Sequence, residues 1–484
     1  MPRRAPEIAV SLRARPPGIT ISAWLYGELR AAILDGRLRR GARVPATRDL
    51  AQRHGVSRGV VVEAYERLGD EGYVTSAMGS GTIVSQRVFE DYQATAAGRA
   101  PRAGKTAVGG DPRRATSPAV QPAARPFCPV EPAVKAFPIA IWARTTARTM
   151  RSLTARSLSR GDPRGSAALR ESIAGYLGAA RGVACHPDQI VILSGVQQGL
   201  DLIARLLVRP GDAVWIEDPG YGGAVDAFRN AGARIVPVRV DQDGLDPEHG
   251  RAQCARPRAV YLTPAHQFTL GVALSLDRRM ELLRWARTSG AALIEDDYDS
   301  EFRYRGRPLP ALKSLAGGDS VFLLGTFNKV LFPSLRCGYL VAPDPWIDRI
   351  AALRYQTDLY PSAMLQATLT AFIDEGHFAR HLRRMRELYA ARREALETHI
   401  ARRLGGLLRL PEIQAGLSTP AYLLDGRSSR QACELATREG LDVWALDRHA
   451  LRRRDLRGLV LGFAAFSERE IRDGVTALAR ALGA

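Results

Sequence analysis

Residues 321–341 read VFLLGTFNKVLFPSLRCGYLV. Two short apolar runs, 321–324 and 338–341, flank a turn that carries Lys329 and Arg336. Continuous apolar runs of four residues, bounded by glycine and proline, predict strands buried on both faces. A lysine just beyond such a strand stands at the mouth of an open α/β sheet, where ligands bind in that architecture. Working outward, similar runs recur at 190–193, 213–216, 234–238, 259–262 and 291–294, mostly separated by helix-length segments. Strands joined by helical crossovers predict an α/β domain over 126–484 with a mostly parallel seven-stranded sheet. After about residue 365, long Arg/Leu/Ala helices such as 378–400 predict a smaller α+β C-terminal subdomain over 365–484.

The chain has 484 residues, room for about two to four domains. With 46% hydrophobic and 25% charged residues, wholesale disorder, a collagen-like repeat and a coiled-coil rod are excluded. No stretch approaches the ~20 apolar residues of a membrane span, and Arg3, Arg4, Arg13 and Arg15 lead into no secretory signal. Cys128, Cys185, Cys254, Cys337 and Cys433 are scattered without a C-x-x-C pair, which predicts free thiols in a reducing, cytoplasmic setting and no metal site.

The formal charge of +19 points toward a polyanion but does not locate one. Residues 1–100 hold 15 arginines against 10 acids, and 126–484 hold 49 basic residues against 39 acids, so the excess is spread along the chain. An arginine bias is as easily a codon preference. Its by-product is more useful: lysine occurs only at 105, 135, 313 and 329. Lys105 lies in a low-complexity stretch, Lys135 in a proline-flanked lead-in and Lys313 in a polar loop. Lys329 alone follows a buried strand.

Residues 18–85 have a different texture. Trp24, Leu25, Leu29 and Ile33 share helical spacing and predict a helix over 24–34. Thr47 is expected to cap a helix over 48–53, which turns at His54-Gly55 into a second helix beginning near Ser57. Two short helices around a glycine turn predict a helix-turn-helix, whose second helix enters the major groove by its N-terminal residues. YVTSAMGSGTIVS then predicts a hairpin wing around Gly79-Ser80-Gly81. Arg48 and Arg58 stand at the helix starts, where guanidinium groups reach guanine edges or phosphates. Residues 86–125, rich in Ala, Pro, Gly and Arg, read as a flexible linker.

An amine at a sheet mouth suits the chemistry of pyridoxal 5′-phosphate. Asp296, in the EDDYD that follows 291–294, would hold the pyridine nitrogen protonated, and Tyr298 would donate to the ring oxygen. SGVQQGLDL opens a helix whose amides at Gly195, Val196 and Gln197 can cradle a dianion. Thr326 and Arg336 add a hydroxyl and a forked cation, and Tyr221 in EDPGYGG can stack on the ring.

The first segment, through LRAAILDGRLRRGARVPATRDLAQRHGVSRGVVVEAYERLGDEGYVTSAMGSGTIV, resembles the GntR family of winged helix-turn-helix repressors. That resemblance implies DNA contacts at Arg48, Ser57, Arg58 and Gly79. Gly59-Val60 departs from a commonly polar pair. The remainder resembles fold type I aminotransferases through GDPRGSAALRESIAGYL, LSGVQQGLDL, EDPGYGG, YLTPAHQFTLG, LIEDDYDSEFRY and GTFNKVLFPSLRCGYLVAP. Together the two look like the MocR/GabR-type subfamily of GntR regulators. The resemblance implies an aldimine at Lys329, ring contacts from Asp296 and Tyr298, a phosphate site including Thr326 and Arg336, and His266-Gln267 on the loop at the ring-oxygen side. It also implies a homodimer bound to double-stranded operator DNA and a response to pyridoxal phosphate or a small amino compound that displaces Lys329. An aminotransferase with an accessory DNA-binding head is the alternative. Departures are Phe268-Thr269-Leu270-Gly271 in place of F-P-T-G, Arg160 for a tyrosine, Val130 for a glycine and Asn328 for a serine. Gly223 offers no cation to a ligand carboxylate, and Arg448, Arg452, Arg453, Arg454 and Arg457 stand as candidates for that anchor.

Overall fold

The computed structural model describes residues 12–39, 41–77, 81–85, 124–306, 309–316 and 320–484, in two compact units, Met1–Ser117 and Pro118–Ala484. Gly79, Lys105 and all but the last two residues of the expected linker lie outside the described residues.

In the first unit, α1 (Ile21–Leu34), α2 (Thr47–His54) and α3 (Arg58–Asp70) precede a hairpin of β1 (Val74–Ala77) and β2 (Gly81–Val84). Helix α1 begins three residues earlier than its apolar spacing indicates, because Thr20 accepts from the Ala23 amide at 3.3 Å. The assignment of Thr47 as a cap is corrected: the first helical bond runs from the Leu50 amide to the Ala46 carbonyl, which places Thr47 inside the first turn. Gly55 closes α2 with φ +65, a left-handed turn that glycine adopts without steric cost. Ser57 caps α3 by accepting from the Val60 amide. Leu25, Leu29, Ile33, Leu50, Val61 and Leu68 form the small core. The Tyr65 hydroxyl ties α3 to the Pro45 carbonyl at 2.8 Å.

The second unit is built on a sheet of β3 (Ile190–Leu193), β4 (Ala213–Asp218), β5 (Arg234–Asp241), β6 (Gly244–Leu245), β7 (Ala259–Leu262), β8 (Ala292–Asp297), β9 (Val321–Thr326) and β10 (Gly338–Val341). Its order is β3-β10-β9-β8-β7-β4-β5-β6, parallel from β9 to β5, with β10 antiparallel to both neighbours. Seven strands coincide with the apolar runs. The eighth, β6, is a two-residue edge hairpin with β5 and too short to register as a run. Strands β4, β8 and β9 reach further than their apolar stretches: Glu217, Asp218, Glu295, Asp296 and Asp297 are inside strands, not beyond them. Among the helices that cover the sheet are α4 (Ala167–Arg181) and α5 (Val196–Leu207). Gly199 lets α5 press onto the sheet, since a Cβ there would lie 2.4 Å from Leu324. A four-stranded antiparallel sheet of β11 (Leu408–Arg409), β12 (Ser418–Leu423), β13 (Trp444–Ala445) and β14 (Gly458–Gly462) joins α6 (His377–Leu404) and α7 (Glu468–Leu482) toward the C-terminus. No described helix is long and apolar enough to cross a membrane.

Part of the arginine excess works inside the fold. Arg170, Arg181, Arg279 and Arg354 are at most 5% exposed. Arg279 donates to the carbonyls of Leu274, Pro310 and Pro264, so one guanidinium holds both ends of the loop that follows β7. Lysine, a point charge, cannot make this fork. Arg279→Met is expected to leave the Leu274 and Pro310 carbonyls unpaired, Pro264 keeping the Leu274 amide at 2.9 Å, and to destabilise the second unit by roughly 2 kcal/mol or more, at about 1–3 kcal/mol per buried group. Urea unfolding would check this; a loss within about 0.5 kcal/mol, as for surface substitutions, would show that water satisfies those carbonyls.

Candidate functional site

The C-terminal ends of β3, β4, β7, β8 and β9 converge on a cavity of about 300 Å³. Val196, Gln197, Tyr221, Asp296, Tyr298 and Thr326 line it, together with Lys329 and Arg336. Gly195 stands at its edge, and His266 lies behind Tyr298 instead of on the wall.

The floor is acidic. Asp296 is 5% exposed; its Oδ2 accepts from the Tyr261 hydroxyl at 2.7 Å, while Oδ1 is buried with no partner. Burial pushes its pKa up to about 7, although the Tyr261 bond pulls the other way. Glu217, at the end of β4, is likewise pushed up to about 7 by burial, and is held by the Thr263 hydroxyl at 2.7 Å and the Gln267 amide at 3.3 Å. Gln267 also donates to the Pro219 carbonyl, so it braces the loop. The Tyr298 hydroxyl lies 3.1 Å from His266 Nδ1, and the same nitrogen is 3.0 Å from Asp299.

The amine enters from the turn after β9. Lys329 Nζ donates to the Val130 carbonyl at 3.0 Å. Burial lowers its pKa below the ordinary lysine value, opposed in part by Glu131. Unprotonated lysine is the nucleophilic form. Val130 holds φ +54, and Arg336 holds φ +51, both in the left-handed region. Strained backbone of this kind collects at functional sites.

The opposite end suits an anion. Gly195 precedes α5 with φ +146, and a Cβ there would lie 3.0 Å from Asn328 Nδ2 and 3.5 Å from the Arg336 guanidinium. The amides opening α5 face this end with the positive pole of the helix behind them. Thr326 Oγ1 accepts from the Asn328 amide, and Asn328 Oδ1 from the Cys337 amide, which fixes the turn that presents Arg336. The set as a whole fits a planar ring with a protonated nitrogen at one end, an amine-reactive carbon beside Lys329 and a dianion at the other end.

Residues 135–419 match the family described as aminotransferase class I and II, and residues 22–84 match the bacterial regulatory proteins of the gntR family. The chain is 38% identical over 474 residues to the probable rhizopine catabolism regulatory protein MocR of Rhizobium meliloti, covering 96% of this chain and 94% of that one. The chain belongs to the MocR-type subfamily of GntR regulators. It is 32% identical to the pyridoxine biosynthesis regulator PdxR of Corynebacterium glutamicum, over 96% of each chain. The α-aminoadipate aminotransferase LysN of Thermus thermophilus, solved with N-(5′-phosphopyridoxyl)-L-leucine, superposes with TM-score 0.69 at 28% identity, over 74% of this chain and 92% of that one. MocR and PdxR, which cover 96% of the chain, are named regulators, whereas LysN covers 74% of it.

For a MocR-type regulator, the exposed side chains of the helix-turn-helix matter equally. Arg48, in the first turn of α2, and Ser57 and Arg58, at the start of α3, are all exposed. Arg43 is also exposed, and its guanidinium lies across Gly81 of the wing, within 2.6 Å of a Cβ built there. Sequence reasoning missed Arg43, for which an isolated arginine in GARVP gives no signal. It also missed Tyr261, which reads as a core aromatic, and Glu217, whose signal is an acid closing an apolar run. Of the C-terminal arginines, Arg452 turns to Gln253, Arg453 to Asp455 and the Val240 carbonyl, Arg454 to the Arg453 carbonyl, and Arg457 to Gly426. Arg448 stacks over Trp444 at 5.1 Å.

An acid whose folded pKa lies near 7 keeps in the fold a proton that the unfolded chain releases near pH 4. Its contribution to stability is therefore full below about pH 4 and is lost as pH rises toward 7. Without ligand, wild-type protein should lose more thermal stability than Asp296→Asn between about pH 4.5 and 7.5. Parallel declines in the two would place the effect on Glu217 or elsewhere.

Proposed function

We propose that this regulator carries pyridoxal 5′-phosphate on Lys329 and responds there to the cofactor itself or to a small amino compound. The observation behind the reading is the pairing, in one cavity, of an amine with a lowered pKa and a buried carboxylate with one unpartnered oxygen. Asp296 Oδ1 would take the ring N–H, Tyr298 the ring oxygen, and Tyr221 the ring face. The Gly195–Gln197 amides, Thr326 and Arg336 would hold the phosphate. When bound, the group supplies an amine-reactive aldehyde and an electron-withdrawing ring. His266 and Asp299 position the Tyr298 hydroxyl from behind, and Tyr261 fixes Asp296.

The N-terminal unit would bind double-stranded operator DNA through Arg48, Ser57 and Arg58, with α3 in the major groove. Coupling is supported by the strap at 124–133, the first described stretch after the segment that joins the two units. Its Phe127 carbonyl accepts from the Gly462 amide at 2.9 Å, its Pro126 carbonyl from the Asp442 amide at 2.9 Å, and its Val130 carbonyl from Lys329. Engaging the Lys329 amine removes one of these ties, so a ligand that favours one strap arrangement shifts the DNA-binding state. Exposed Ile139, Met150 and Leu158 offer apolar contact for a second copy in a homodimer.

Protein mixed with the cofactor should show a visible absorbance band and, after borohydride reduction, a mass increment on Lys329; Lys329→Ala should show neither. Loss of the increment at Lys329 with the band retained would move the site. Arg58→Ala and Arg48→Ala should each weaken operator binding by about tenfold or more and flatten its salt dependence by about one charge. Affinity unchanged in both would sink the DNA assignment.

A further inference from the structure

The phosphate cradle and the ring contacts leave one wall of the cavity without a role. Val130, Phe268 and Trp444 form it, beside Tyr221 and Tyr298. Phe268 meets Tyr221 edge to face at 5.5 Å and Tyr298 at 5.9 Å, and lies 6.4 Å from Trp444. Val130 is presented to this wall from a left-handed backbone that β-branched residues avoid and glycine adopts freely. The strap bonds hold it there, so an apolar side chain is kept in the cavity against a conformational cost.

The charge around the wall is one-sided. Asp299, Asp296, Glu217 and Asp297 all act on Tyr298 with negative field. Among the described residues, the cations that line the cavity are Lys329 and Arg336, and the reading above assigns the first to the aldehyde and the second to the phosphate. Arg452, Arg453, Arg454 and Arg457 are bonded elsewhere, and Arg448 is an exposed residue stacked on Trp444. A carboxylate set against Val130, Phe268 and Trp444 would lose its water and gain no guanidinium. An apolar body gains from the same burial, and an aromatic one adds edge-to-face contacts.

We propose that the ligand read at Lys329 is a primary amine with an aromatic or otherwise apolar body and no carboxylate on its amine-bearing carbon, selected by Val130, Phe268 and Trp444. The proposal rests on the reading that Lys329 carries the cofactor. In the exchange, a carbon–nitrogen double bond forms to the incoming nitrogen as the one to Lys329 Nζ breaks. The two protons of the incoming amine pass to Nζ, and no oxidant or reductant is consumed.

The test uses full-length protein loaded with pyridoxal 5′-phosphate and a matched pair of probes, 2-phenylethylamine and L-phenylalanine, which differ by the carboxylate. Release of Lys329 is read by the visible band and by loss of the borohydride-trapped increment on that residue. The amine should half-saturate the response at a concentration about tenfold or more below that of the amino acid. Phe268→Ala and, independently, Val130→Gly should each narrow that gap to about threefold or less. L-phenylalanine acting at equal or lower concentration overturns the proposal; if Arg448→Ala then abolishes its response, Arg448 is the carboxylate anchor. Silence to both probes overturns it as well. Absence of any band or increment in loaded wild-type protein instead removes the cofactor reading on which the proposal rests.

Discussion

Asp296, penultimate in a central strand, is 5% exposed, with Tyr261 on one oxygen and no described partner on the other. A carboxylate so placed must keep a proton or find a cation. The neighbouring acids each have a charged or multiple partner: Glu217 has Thr263 and Gln267, Asp297 has Arg181 at 2.8 Å on one oxygen, and Asp299 has His266. Alternation along β8 sends Asp296 and Asp297 to opposite faces of the sheet, so the Arg181 pair anchors the strand from the side away from the cavity. The parallel order then gathers the ends of five strands at one edge, and the lysine, the start of α5 and the half-satisfied acid all meet there.

Much of this is legible before any coordinates. Seven strands announce themselves as apolar runs, because strands buried on both faces need no alternation. Lys329 stands out because the chain has so few competing amines. The rest depends on partners that lie far apart in sequence. Nothing local says that the first three acids of EDDYD remain inside the strand, since what keeps Glu295 there is a pair of amides at Leu312 and Lys313, each at 2.8 Å. Thr47 looks like a cap by residue type, yet the first helical carbonyl belongs to Ala46. His266 is adjacent to Gln267 in sequence, but one backs Tyr298 while the other braces β4. The arginines after residue 447 form a cluster only on paper; in space they disperse to separate carbonyls and acids.

The strap at 124–133 ties these levels together. It bonds to β14 and to the turn before β13 on one side and to Lys329 on the other, while the Ala133 amide donates to the Tyr389 hydroxyl of α6 at 2.9 Å. Gly462 allows the close approach, since a Cβ there would lie 1.9 Å from the Cys128 carbonyl. A segment held from both sides by few bonds is suited to report a change in any one of them.

The scarcity of lysine has a further consequence for how such a protein is loaded. Lys313 gives its Nζ to the Val321 carbonyl, and Lys135, with its side chain 91% exposed, faces Glu470. Lys329 alone of these three combines a lowered pKa with a ligand-sized cavity. A free aldehyde diffusing through a crowded cell therefore meets few rival nucleophiles on this surface. On the proposed reading, the chain directs the cofactor's aldehyde to Lys329 by leaving it few competing lysine amines.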